Sequence, residues 1–488
     1  LKLPYFQVSL NGYIYYYNIN LPQFHKFTKN GKYFFLNCDD LNTFEINELI
    51  YYELDKISAN LSYLVTESII NELLKKGILK KYPLTSKRSS THSKGCYNKF
   101  KFLECEKLQS IKTIAILVSQ RCNLDCIYCY GSGGSFGKKG LMDVTIGEQS
   151  IDWLIRNSED SNKLYVLFFG GEPLINYKLI KHLVDYSELR AKECNKQFRY
   201  GITSNATLIN REKIGFFKKH NITPLISFDG PKDIHDKNRP FKNGKGSHYL
   251  VNKNSKFLGN NIPNICCRVT LTDAKDIFTV KQGITSVGFP YYNYSFAAPS
   301  LDGKYFNNKR DNHDLKLLFS FLDDEMILTI ESIKSRNYPR NSLRSLLKYL
   351  KILITKKKRF FGCGAGKDYV SISIEGDIYY CHRFVNLETM HLGNIYNKYI
   401  NRSILKAVPV TKLPVCKKCW ARFFCGGGCK YINYTSTGDI FLPDDITCQE
   451  IKKTVENAIY IYNNLNNSDL EYLKAKVFPR KSNEKLSD

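Results

Sequence analysis

No stretch of this chain approaches the roughly 18 uninterrupted apolar residues that a membrane-spanning helix needs. A transmembrane segment is therefore not expected. The first residues, "LKLPYFQVSLNGYIYYYNIN", lack an apolar block behind a charged end, so no secretory signal is expected either. Acidic side chains are scarce: 46 Asp and Glu stand against 72 Lys and Arg, a formal net charge of +26. Nucleic acid is the first partner such a charge suggests. The basic residues are spread along the chain rather than gathered in a stripe. The joint abundance of Lys, Asn, Ile and Tyr looks like a coding bias. Nucleic-acid binding is not expected on this ground, and an acidic peptide would suit the charge equally well. Without export there is no oxidising compartment to make disulfides of the 16 cysteines. They cluster instead at metal-ligand spacings, three in 122–129 and four in 416–429. A cytoplasmic iron–sulfur protein accounts for both their number and their grouping.

At 488 residues the chain is long enough for two or three domains. Residues 1–83 read as a small unit. "YFQVSLNGYIYYYNI" predicts a hairpin about Asn11-Gly12, and "KYFFLNCDDLNTFEI" predicts further strands. "NELIYYELDKI" and "ESIINELLKKGIL" show helical spacing, the second closing on Gly77. Strands followed by short helices suggest a winged-helix-like module. Residues 84–111 begin with a Ser-, Lys- and Thr-rich run and read as a linker. From 112 to 335, apolar strands alternate with helical stretches: "TIAILVS", "KLYVLFFGGEP", "FRYGITSNATL", "ITPLISFDG", "NICCRVTL" and "YYNYSFAAP". That rhythm predicts an α/β fold with a parallel sheet, arranged as a partial (β/α)6 barrel. The carboxyl ends of such strands carry chemistry. Residues 336–488 predict helix, then a cysteine-rich region of short hairpins, then a terminal helix over about 448–464.

The first strand runs into "RCNLDCIYCY", where Cys122, Cys126 and Cys129 are spaced C-x3-C-x2-C. Three thiolates can hold three irons of a [4Fe–4S] cube, whose usual complement is four cysteines. Zinc is the alternative for the motif taken alone. This motif, after the first strand of a βα repeat, resembles that of the radical SAM superfamily. The resemblance implies a cluster whose open iron binds S-adenosylmethionine (SAM), which is cleaved to a 5′-deoxyadenosyl radical. It places Tyr128 near the adenine. Gly170, Gly171, Glu172 and Pro173 match the family's "GGEP" motif, with Glu172 meeting the SAM amino group. Ser204 and Asn205 match positions near the ribose or methionine moiety, and Ser227 and Asp229 end the fourth strand. Arg239, in "HDKNRPFKNGKGS", is a candidate partner for the SAM carboxylate.

Further on stand Cys363, Gly376 and Cys381, then Cys416-x2-Cys419-x5-Cys425-x3-Cys429, then Cys448. These spacings resemble the SPASM extension of radical SAM enzymes, which binds auxiliary [4Fe–4S] clusters. The resemblance implies three clusters in all. Cys416, Cys419, Cys425 and Cys448 would hold a complete outer cluster, and Cys363, Cys381 and Cys429 an inner one. No cysteine precedes Cys363 closely, since that stretch reads "TKKKRFFG". The inner cluster therefore lacks a fourth ligand unless Cys38, Cys96, Cys105, Cys194, Cys266 or Cys267 supplies it. Cys266 and Cys267, on a barrel strand, are the candidates.

The N-terminal module resembles leader-recognition elements of enzymes that mature ribosomally made peptides. Such elements pair a peptide against a strand edge. Sulfatase-maturating relatives usually place an acidic base just after the cysteine that corresponds to Cys381. Here His382 and Arg383 follow, and are the candidate catalytic residues. "YYCHRF" is similar to maturases of cysteine-rich peptides (the ranthipeptide and sactipeptide thioether-forming type). The implied activity is a Cys-to-carbon thioether crosslink in a precursor peptide with a leader, fed by an external electron donor such as flavodoxin or ferredoxin. Sulfatase maturation, epimerisation and carbon–carbon crosslinking are the alternatives. A redox sensor with a DNA-binding winged helix is an alternative of another class.

Overall fold

The computed structural model describes residues 23–58, 110–263, 265–301, 311–337, 341–397 and 407–478. It also describes the strands at 5–10 and 13–18 and residues 72, 73, 75, 76, 400, 401 and 405. The expected helix ending on Gly77, most of the 84–111 linker, Cys96 and Cys105 lie outside the described residues.

Two small sheets come first. Strands β1 (Tyr5–Leu10) and β2 (Tyr13–Asn18) pair antiparallel across Asn11-Gly12. Strands β3 (Phe24–Lys29), β4 (Lys32–Asn37) and β5 (Thr43–Ile46) form an antiparallel sheet in that order, followed by helix α1 (Glu48–Ser58). β3 was not expected from the sequence, because its mixed "FHKFTK" lacks clean alternation.

The main sheet has ten strands. Six of them, β6 (Thr113–Ser119), β7 (Lys163–Gly170), β8 (Gln197–Ser204), β9 (Thr223–Ser227), β10 (Cys266–Leu271) and β11 (Tyr291–Phe296), lie side by side in chain order, all parallel. Helices α2 (Val144–Arg156), α3 (Tyr177–Glu193), α4 (Arg211–Lys219), α5 (Lys232–Asn238), α6 (His248–Gly259) and α7 (Ile277–Val287) fall between them. This is an α/β fold of successive βα units about a mostly parallel sheet. The local reasons are ordinary. "TIAILVS" is buried on both faces, as a central parallel strand must be. Asp143 caps α2 through the Thr145 N–H, and Asn210 caps α4 through the Lys213 N–H.

The two faces of β6 go to different places. Ile114, Ile116 and Val118 pack with the helices in the large core. Ala115 and Leu117 face inward with Phe136, Phe169, Tyr379 and Val385. Tyr379 belongs to the cysteine-rich region, so that region roofs the inner face. It does so by joining the sheet. β13 (Tyr369–Ile372) pairs parallel to β6, and β14 (Asp377–Tyr379) and β15 (His391–Asn394) continue antiparallel from it. At the other edge β12 (Ser342–Leu343) pairs with β11. Helices α8 (Asn312–Lys334), α9 (Arg344–Thr355) and α11 (Asp445–Asn463) lie together, with α10 (Lys430–Thr437) preceding the last of them. Among the described residues no helix is long and apolar enough to cross a membrane.

Candidate active site

The cysteine loop leaves the carboxyl end of β6 and is held from both sides. Gln120, almost fully buried, donates to the carbonyls of Ser135 (2.9 Å) and Lys138 (2.8 Å) and accepts from the Ile374 N–H (3.1 Å). One side chain thus fastens the loop to the turn after β13. The backbone N–H groups of Gly131, Gly133 and Gly134 lie near the Cys129 sulfur and favour its thiolate, though burial outweighs them. Gly134 has φ +86°, and a Cβ there would lie 2.6 Å from the Cβ of Cys122 and 2.8 Å from the Cα of Gly171. Burial pushes the Cys122 thiol up to about 11 and Cys126 to about 12, and raises Cys129 as well. Binding a metal or cluster here releases protons from those thiols. Among the described residues no three cysteine sulfurs lie within 4.8 Å of one another. Tetrahedral zinc thiolates sit about 3.8 Å apart, given Zn–S bonds of about 2.3 Å. The thiols of the described residues are thus not drawn into a closed tetrahedral zinc arrangement.

Beside the cysteines lie two buried groups of opposite charge. Glu172, past the end of β7, is fully buried and accepts from Leu174 N–H (3.0 Å), Ser204 Oγ (2.9 Å) and Asn205 N–H (2.7 Å). Burial outweighs these bonds and lifts its carboxyl to about 7. Its bond to Leu174 caps the short turn that starts at Pro173. Gly170, with φ +135°, brings the chain so close to β6 that a Cβ would meet the Ser119 carbonyl at 2.0 Å. Gly171 donates to that same carbonyl at 2.8 Å.

Arg239 is the cation. Its Nη1 donates to the Tyr128 hydroxyl (2.6 Å), and that hydroxyl donates to Asp229 Oδ2 (2.5 Å). Asp229 Oδ1 accepts from the Thr270 N–H at 3.0 Å. The Nε of Arg239 is buried with no protein partner. Asn205 donates from Nδ2 to Asn123 Oδ1 (2.9 Å) and towards Cys122 Sγ (3.7 Å), and Thr207 closes the link back to Asn123 (2.8 Å). Ser227 ends β9 opposite Arg268 of β10. The structure therefore brings Cys122, Cys126, Cys129, Tyr128, Gly170, Gly171, Glu172, Pro173, Ser204, Asn205, Asp229 and Arg239 to one end of the sheet. Sequence reasoning missed Gln120, Asn123, Gly134 and Thr207. Their only signal is closeness to the cysteine loop or to "TSN".

The C-terminal cysteines fall into two groups by the charges they feel. Cys429 weighs on both Cys363 and Cys381, and Cys363 weighs on Cys381. Cys416 and Cys448 respond to Cys419 and Cys425. Burial raises Cys381 and Cys448 to about 12 and Cys416 to about 11. Cys266 and Cys267 are directed elsewhere, Cys266 towards its own strand and Cys267 to the Phe228 carbonyl at 3.4 Å. Neither is among the leading charges on Cys363 or Cys381. Cys38, from the N-terminal module, has Cys419 among its neighbours.

His382 and Arg383 lie between the two cysteine regions. The His382 ring packs on Phe169 (4.5 Å) and its Nδ1 is hydrogen-bonded to the Tyr369 hydroxyl. Burial, and then the Arg383 charge, hold its imidazole down at about 3. The Arg383 guanidinium sits 4.7 Å from the Tyr130 ring and 5.0 Å from that of Tyr431.

Three thiols beside a buried carboxylate and a guanidinium with a spare N–H suit a cluster that shares its last iron with a zwitterionic cofactor. The comparisons agree with that class of site. The radical SAM superfamily matches residues 116–269. An uncharacterized protein of Methanocaldococcus jannaschii is 30 % identical over 326 residues, covering 65 % of this chain and 97 % of that one. A cysteine-type anaerobic sulfatase-maturating enzyme of Clostridium novyi is 25 % identical over 376 residues, covering 72 % and 96 %. The solved structure of native anSMEcpe with bound AdoMet and Cp18Cys peptide has a TM-score of 0.58 at 20 % identity, covering 73 % of this chain and 100 % of that one. The chain belongs to the radical SAM superfamily and is an enzyme of the kind that binds a [4Fe–4S] cluster and SAM.

Proposed function

We propose that the chain is a peptide maturase that joins a substrate cysteine to a substrate carbon through a thioether bond. The observation that carries this reading is the inner cysteine group. Cys429 weighs on both Cys363 and Cys381, and among the described residues no cysteine outside this group is a leading charge on either. Such a group would hold a cluster with one seat free for a substrate thiolate. Cys122, Cys126 and Cys129 would hold the SAM-binding cluster, and Cys416, Cys419, Cys425 and Cys448 a fully ligated outer one. When bound, SAM and the clusters supply hydrogen abstraction from carbon, ligation of a thiolate and an acceptor for one electron, so one C–H and one S–H bond are lost and one C–S bond is formed.

The chain's own residues position and shelter these groups. Glu172 and Arg239 suit the ammonium and carboxylate of an amino-acid-like cofactor. Tyr128 and Asp229 fix the direction of Arg239. Phe169, Tyr130 and His382 line the space between the two cysteine regions and help to keep water out. The β3–β5 sheet offers strand edges on which a leader peptide could pair. An external one-electron donor would reduce the clusters.

Sulfatase maturation is the second reading, and the named Clostridium relative favours it. Against it stands the residue after Cys381, which is His382 where those enzymes usually carry an acidic base. The test is anaerobic reconstitution with iron and sulfide, followed by SAM, reductant and peptide. About twelve irons per chain fit three cubes. A cysteine-rich precursor that loses two hydrogens and one alkylatable thiol per bridge supports thioether formation. Modification of a sulfatase-derived peptide instead would replace it with the second reading.

A further inference from the structure

Two arginines, Arg268 and Arg383, lie near enough to feel each other's charge and that of Cys429. Arg383 packs against the neighbouring rings of Tyr130 and Tyr431, whose centroids are 5.8 Å apart. Among the described residues its guanidinium has no hydrogen bond or ion pair to a protein acceptor. Arg268 lies on β10, whose Cys267, Val269 and Leu271 enter the helix-side core, so Arg268 points inward. It donates to Ser295 Oγ (2.6 Å) and makes no ion pair within the described residues. Arg383 is the charge Arg268 feels most, followed by Cys429 and Tyr130. The carboxylate within its influence, Asp229, is already committed to Tyr128, Thr270 and Arg239.

Two like charges in a sheltered space oppose each other, and a guanidinium with unused donors wants a planar acceptor. The Tyr130 and Tyr431 rings, 5.8 Å apart, pack against Arg383 from adjacent directions and restrict its guanidinium. Among the described residues neither cation makes an ion pair with a carboxylate.

We propose that Arg383 and Arg268 form a seat for a carboxylate of the substrate peptide, presented next to the inner cysteine group. The carboxylate is that of an Asp or Glu side chain, or of the peptide's own C-terminus. This inference rests on the peptide-maturase reading and specifies the kind of residue that lies beside the reacting carbon. It gives the surplus of positive charge in the chamber a substrate rather than a structural partner.

The test uses the reconstituted holoenzyme with SAM and short synthetic peptides that carry one cysteine and one Asp. Matched peptides carry Asn in its place, and each is made with a free and an amidated C-terminus. Fluorescence anisotropy reads binding, and iron is counted in every preparation. The Asp peptide is expected to bind about tenfold or more tighter than the Asn peptide, the scale of a charged hydrogen-bond pair. In Arg268→Met and Arg383→Met that preference should shrink to less than about twofold, with Arg383→Lys intermediate, because Lys keeps the charge without the fork. A preference that follows the free C-terminus instead assigns the seat to a terminal carboxylate. Equal binding of all peptides by the parent overturns the proposal without any variant being needed. So does a preference that survives both Met variants. Loss of iron in the Met variants, with the preference unchanged, makes the pair a counterweight to the cluster instead. The thioether reading fails separately. Carboxylate preference without any peptide that loses hydrogens keeps the seat and sinks that reaction.

Discussion

The Tyr128 hydroxyl donates to Asp229 at 2.5 Å while it accepts from Arg239 at 2.6 Å. A phenol that immediately precedes a cluster cysteine is thereby the hinge of a carboxylate–guanidinium pair that has no direct ion pair. Asp229 is anchored on the Thr270 N–H, so the direction of Arg239 traces back to β10. Tyr128→Phe should leave the iron content unchanged and weaken SAM binding about tenfold or more, the usual scale for a hydrogen bond to a charged group. Equilibrium dialysis with SAM checks it. Binding equal to the parent would show that Arg239 does not act on SAM through this hinge.

Gly134 is a tight point of the cysteine loop, walled by a cysteine on one side and backbone on the other. Its φ is +86°, and a methyl group there would meet Cys122 and Gly171 at once. Gly134→Ala should misplace Cys122 and cost the first cluster. If the chain holds the three clusters proposed above, reconstituted iron should fall from about twelve to about eight per chain. Cys122→Ala provides the matching loss. Full iron in Gly134→Ala would mean that the loop yields.

Most of the parallel sheet was legible in the sequence, because a strand buried on both faces writes itself as an apolar run. "TIAILVS" and "KLYVLFF" are such runs, and the structure has strands there. β3 was not legible: its charged and aromatic residues alternate poorly, and its partners are set by tertiary contact. The union of β13 with β6 was equally hidden, since pairing across more than 250 residues leaves no local trace. The cysteines and "GGEP" stood out through their spacing. Asn123, Thr207 and Gln120 did not, because a side chain that braces a loop is an ordinary Asn, Thr or Gln until the loop is folded. Arg268 looked like one more basic residue among 72. Its lack of an ion pair among the described residues appears only in three dimensions.

His235 makes an acid-sensitive joint behind the site. It is fully buried. Its Nδ1 accepts from the Asp229 N–H (3.2 Å), and its Nε2 lies 3.1 Å from Ser247 Oγ. Ser247 donates onward to the Arg239 carbonyl, so Nε2 carries the hydrogen. Burial, then the Arg239 and His248 charges, push its imidazole down to about 2. Below the unfolded value of about 6.5, the unfolded chain takes a proton that the folded one refuses, so stability falls as the pH drops. The contribution is about 1.4 kcal/mol per pH unit. His235→Gln can keep both hydrogen bonds and cannot titrate. Its stability should therefore depend less steeply on pH between about 6 and 5, by roughly that slope. Urea unfolding of the apoprotein at several pH values measures the difference. Parallel curves would mean that His235 is protonated in place.

The β3–β5 sheet is built into the cysteine-rich region rather than tethered to it. Phe34, Leu36, Cys38 and Leu41 share one core with Phe423, Phe424, Val455, Ala458 and Ile459. The His25 ring stacks on Trp420 at 3.7 Å, and Asp39 pairs with Arg422 at 3.0 Å. Cys38 lies close enough to Cys419 to feel its charge. A module that only captured a leader peptide could be loosened without harm to the clusters, but this packing predicts otherwise. Phe34 is fully buried, with its ring edge-on to Tyr460 at 5.5 Å. Phe34→Ala should cost about 3–5 kcal/mol, the scale of an emptied aromatic site. It should lower the melting temperature and also speed chelator removal of about four irons, those of the outer group. Iron release at the parent's rate, beside a drop confined to peptide binding, would instead make the N-terminal unit a free-standing clamp.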